Sequence, residues 1–141
     1  MRRQIPGLHV QPNPEELLEG LFLVRIGRAG YNSHPQKPFL AIIFAVIEPL
    51  NLSRRTISGR IYCTPRALWK LNWFLRDFGY DTDLLGRDEI DERALTGLVG
   101  IVRTSRRPLG PRIFLNLEGF APSSDWESVA GEGKQECGGI L

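Results

Sequence analysis

Catalytic chemistry needs a nucleophile, a base or a metal set at a workable spacing, and this chain offers little of that kind. Its two histidines, His9 and His34, stand in a proline-containing N-terminal segment and in a turn-rich stretch, with no partner at motif spacing. No HExxH, GxSxG or phosphate-loop pattern occurs, and the GEGK run near the C-terminus lacks both the spacing and the preceding strand of a phosphate loop. The acids between Asp77 and Glu92 lack the alternating ligands and turn glycine of a calcium loop, so they are expected to be a solvated loop and helix start. Cys63 and Cys137 show no CxxC spacing. An enzyme is not expected, nor is a cofactor or a metal.

Arginines and flat rings are the chemistry that remains. The net charge of +2 conceals an uneven distribution. Residues 21–120 carry 15 Lys plus Arg against 9 Asp plus Glu, whereas residues 121–141 carry one Lys and four acids. Seven of the nine central acids fall between Asp77 and Glu92, which leaves only Glu48 and Glu118 among the predicted strands. Guanidinium groups match phosphate in a forked geometry and stack on rings, so an arginine-dominated body suits a polyanion.

The positioning elements follow from periodicity. Length and composition fit one domain of 141 residues, divided into an arm (1–19), a body (20–120) and a tail (121–141) expected to be mobile. Strand one is expected over 20–28, with Phe22, Val24 and Ile26 alternating with Leu23, Arg25 and Gly27, and strand three over 56–63, with Ile57, Gly59, Ile61 and Cys63 facing away from Ser58, Arg60 and Tyr62. Strand two, FLAIIFAVIE over 39–48, is apolar on both faces. Residues 64–80 predict the main helix, with Thr64 as N-cap, Pro65 in the first turn and Gly79 as its close. A short second helix is expected from Asp88, strand four over 97–105, a loop at RRPLGP, and strand five over 112–120. No apolar run approaches the roughly 18 residues that span a bilayer. MRRQIPGLHV lacks the apolar centre of a signal peptide, so a cytoplasmic location is expected.

Three strands, a helix and two strands is the order of a five-stranded oligonucleotide/oligosaccharide-binding (OB) barrel. The run GRIYCTPRALWKLNWFLRDFGYD, followed by LTGLVGIV, resembles a bacterial and phage family that is similar in outline to phage single-stranded-DNA-binding OB proteins. The resemblance spans about residues 20–120 and centres on the strand–TPxALW–helix junction. It implies the fold, and the family has no assigned binding residues to carry over.

An OB barrel takes ligand across strands two and three and the loops joining strands one to two and four to five. Those places hold Tyr31, His34 and Lys37, then Arg60 and Tyr62, then Arg103, Arg106, Arg107 and Arg112. Binding of single-stranded nucleic acid, DNA before RNA and without strong sequence preference, is therefore expected. Tyr62 and Phe114 fit sheet packing as well as base stacking. Trp69 and Trp73 share the polar side of the helix with Arg66, Lys70 and Arg76. The arm covers them through Ile5, Leu8 and Val10, or a second copy or partner protein docks there; direct base stacking ranks last, since the helix lies away from the usual OB groove. The competing function is thus a non-enzymatic interaction module; an oligosaccharide site would call for neutral polar groups in place of arginines.

Overall fold

The computed structural model describes residues 2–6 and 18–130. Five strands form one antiparallel sheet: β1 (Gly20–Asn32), β2 (Phe39–Glu48), β3 (Thr56–Tyr62), β4 (Val99–Leu109) and β5 (Arg112–Pro122). Their hydrogen-bonded order is β3-β2-β1-β4-β5, so β1 is central and β3 and β5 are the edges. No ladder joins those edges and the sheet is not closed into a barrel. They nevertheless meet: a Cβ built on Gly59 of β3 would lie 2.6 Å from Leu117 Cδ1 of β5. Glycine is what lets the two strands approach this closely.

β2 buries Leu40, Ile42, Phe44 and Val46 on its inner face, and β3 adds Ile57 and Ile61. The helix between β3 and β4 covers that face. It begins as a 3-10 turn (Pro65–Ala67) and becomes α1 (Leu68–Asp77), with Leu71, Phe74 and Leu75 buried. The Thr64 side chain makes no capping bond, contrary to the sequence expectation, because the first turn is wound as 3-10. Leu68, which its spacing from Leu71, Leu75 and Phe78 groups with the apolar face, is exposed at the point where the α-helix starts. The close is as expected. Gly79 takes a φ of 75°, Tyr80 N–H donates to the Leu75 carbonyl at 2.9 Å, and Gly79 N–H donates to that of Arg76 at 3.2 Å. Phe44, Phe74, Phe78 and Phe120 form a ring cluster with centroid separations of 4.7–6.2 Å.

Two short helices follow in place of the single one expected from Asp88: α2 (Thr82–Gly86), capped by Asp81, and α3 (Glu92–Leu95), capped by Asp91. The Tyr80 hydroxyl donates to the Glu89 carbonyl and accepts from Asp91 N–H, both at 2.8 Å, which ties the acidic segment between them to the core. β1 runs on past Arg28, since residues 29–32 pair with 39–42. β5 extends to Pro122, two residues beyond the body boundary drawn from sequence, and a 3-10 turn (Ser123–Asp125) follows. Trp126 Nε1 donates to the Glu48 carboxylate, and β4 contacts the 3-10 turn. Ile101 is buried outside the main core cluster, on the opposite sheet face from Val102. Among the described residues no helix is long and apolar enough to cross a membrane.

Candidate nucleic-acid interface

Strand parity decides which predicted residues share a surface. Arg60 pairs with Ala41 and Tyr62 with Phe39, on the face away from the core. Arg60 Cζ lies 4.4 Å from the Phe39 ring centroid, and the Tyr62 ring meets Phe39 edge-on at 5.9 Å. A guanidinium over one ring beside a second, half-exposed ring makes a compact basic and aromatic platform. Phe39 is the member that the sequence reading missed. Its place directly across from Tyr62 was the available signal, once the β2–β3 register is known.

Tyr31 does not join this platform. It pairs with Leu40 and therefore points to the core side of the sheet. Strict alternation from Phe22, Val24 and Ile26 would put it on the outer face. The register shift between Ile26 and Arg28 reverses the parity beyond Gly27. Tyr31 N–H donates to Glu92 Oε1 at 2.9 Å, so the end of β1 is tied to α3. Lys37 is exposed in the β1–β2 connection, where the His34 ring nitrogen Nδ1 accepts from Gln36 N–H at 3.2 Å and from Lys37 N–H at 3.3 Å. His34 thus shapes its loop.

The arginines expected in a loop stand instead on a paired ribbon. Leu109 pairs with Arg112, leaving Gly110, with φ of 62°, and Pro111 as the turn. Arg106 pairs with Leu115 and Arg107 with Phe114, so adjacent arginines point to opposite faces. Arg106 N–H donates to the Glu19 carboxylate at 2.6 Å, and the Thr104 hydroxyl donates to the Leu18 carbonyl, which anchors residues 18 and 19 beside β4. Arg107 Nη2 bonds Glu118 Oε1 at 2.8 Å. Ser105 Oγ and Asn116 Nδ2 donate to the same oxygen, and these donors hold the carboxyl down at about 2. Arg103 and Arg112 are exposed.

No protein-family model matches the chain. No curated protein matches it either.

Trp69 and Trp73 form a separate feature. Their rings stack at 6.3 Å and 20°, Trp73 Nε1 donates to Asp77 Oδ2 at 2.7 Å, and Trp73 packs edge-on against Phe120 at 5.5 Å. Trp73 is thus half sheltered by β5, while Trp69 remains 66% exposed. Ile5, one of the arm residues expected to cover them, is itself exposed, and Leu8 and Val10 lie outside the described residues. Burial lowers the Lys70 pKa and the Glu118 carboxylate opposes that shift. Burial likewise raises the Asp77 carboxyl, against the hydrogen bond from Trp73. Burial pushes the Cys63 thiol pKa up; Cys137 lies outside the described residues. No group of three or more His, Cys, Asp or Glu that could hold a metal occurs among the described residues.

Proposed function

We propose that the chain is an OB-like, non-enzymatic protein that binds single-stranded nucleic acid, DNA in preference to RNA, without strong sequence preference. The observation that carries this reading is the Arg60–Phe39–Tyr62 platform on the outer face of β2 and β3. That surface is the one on which OB barrels take oligonucleotides. Support for the fold comes from the strand order, with β1 between β2 and β4, and from the contact of β3 with β5 at Gly59 and Leu117, as in a partly open Greek-key barrel. The phage-like resemblance and the cytoplasmic location belong to the same proposal. Arg60, Arg103, Arg106, Arg107 and Arg112 track phosphates; Tyr62 and Phe39 offer rings to bases. The test is fluorescence polarisation of a labelled poly-dT strand at two salt concentrations, with duplex DNA as competitor. Tight, salt-sensitive binding that duplex does not displace is expected; absence of binding at low salt rules the reading out.

The exposed Trp69 ring favours a second reading, an assembly surface on α1 for another protein or a second copy. Trp69→Ser removes the outermost ring and leaves Trp73 on Phe120. A smaller species on sizing chromatography is expected if that face assembles; an unchanged elution volume dismisses self-association there.

A further inference from the structure

The β4–β5 hairpin leaves the sheet as a finger. Thr104 is the last β4 residue paired with β1, and beyond it residues 105–109 pair only with 112–116. Residues 106–114 are all exposed, including Leu109 at 70% and Phe114 at 45%. Two-stranded ribbons are marginal on their own, and keeping large apolar side chains on one is a sign of contact.

Charge narrows the partner. From 93 to 117 the chain contains five arginines and no acid. One face of the ribbon carries Arg107 and Arg112 with Leu109 and Phe114, and the other carries Arg106 with Pro108 and Ile113. A polyanion flanking an apolar surface satisfies both features. A bilayer suits them less well, since Arg112 lies directly across from Leu109 and would be carried inward with it. A strand from a second copy is also disfavoured, because Pro108 and Pro111 lack the N–H groups that edge pairing uses.

The end of a base-paired duplex presents a flat apolar face between two phosphate backbones, and apolar wedges of this kind recur in proteins that contact base steps. We propose that the tip, Leu109 between Pro108 and Pro111, seats against the terminal base pair of a single-strand/duplex junction, with arginines of both ribbon faces beside the two backbones. This rests on the nucleic-acid reading above and narrows its substrate from any single strand to a strand bordered by duplex.

The full chain is titrated by polarisation against three labelled DNAs: a hairpin with a dT overhang, the dT strand alone and the blunt duplex. Binding to the overhang hairpin is expected to be roughly tenfold tighter than to dT alone, the scale of one good base contact. Leu109→Ser should abolish that advantage and leave dT affinity unchanged; Leu109 is exposed, and an unchanged thermal melt confirms that the variant folds. Equal wild-type affinity for hairpin and dT overturns the wedge alone, as does an advantage that survives Leu109→Ser. Leu109-dependent binding to phosphatidylglycerol vesicles without a junction advantage assigns the tip to lipid and overturns it too. Failure to bind any of the DNAs overturns the nucleic-acid reading and the wedge together.

Discussion

Glu118 pairs with Arg107 at the base of the arginine finger, and it accepts from Ser105, Arg107 and Asn116 at once. Its folded-state pKa, lowered from 4.5 to about 2, contributes stability that is fully present above the unfolded value and is lost as pH falls from about 4.5 towards 2. Wild type should therefore be more stable than Glu118→Gln above pH 5, and acid denaturation curves should converge near pH 2. The same substitution should tighten poly-dT binding severalfold, because phosphate no longer competes with Glu118 for Arg107. An unchanged affinity would mean that Arg107 makes no contact with phosphate. At this scale the sequence supplied residue types and little geometry. Arg106 and Arg107 were legible as cations, while their opposite orientations depend on pairing with Leu115 and Phe114.

Among the elements, the contact between β3 and β5 depends on one missing side chain. Gly59→Ala would push a methyl to 2.6 Å from Leu117, and overpacking of this kind costs about 1–3 kcal/mol. A urea midpoint lowered by that free energy divided by the m-value, with the m-value itself kept, is expected; Gly30→Ala, which would meet nothing within 4 Å, is the control. β2 and β3 were legible because their patterns are unambiguous: nine consecutive apolar residues, 39–47, before Glu48, then strict alternation about Ile57 and Ile61. The far halves of β1 and β4 were not. AGYN and RRPL carry turn-forming residues, and partners distant in sequence hold them extended: the cross-strand ladders, with Glu92 on Tyr31 N–H and Glu19 on Arg106 N–H. Pro108 is tolerated because the ribbon there has a free edge.

For the molecule as a whole, the uneven charge has a measurable signature. For single strands, log affinity falls against log salt by roughly 0.7 for each phosphate neutralised. Replacing Arg106 and Arg107 together by Ala should flatten that slope by up to about 1.4, with the fall in affinity greatest at low salt. A slope unaffected by the double substitution would remove the ribbon from the phosphate path. The basic body was legible from composition, since charge needs no fold to be counted. Its arrangement was not: the shift at Gly27 turns Tyr31 away from Arg60 and Tyr62, and such a shift leaves no mark in the alternation before it.

The central position of β1 also governs the order in which the chain can assemble. β1, β2 and β3 are sequence neighbours, as are β4 and β5, but residues 23–25 find their second partner only in 99–101, and residues 20–22 find their one ladder partner only in 102–104. Closing that distant pairing is the slow entropic step in such a topology. During synthesis, the edge along Leu21, Phe22, Leu23 and Val24 stays unsatisfied until β4 has emerged. A nascent chain halted before Val99 therefore displays an open apolar strand, and the hazard of misassembly ends only with the arrival of β4.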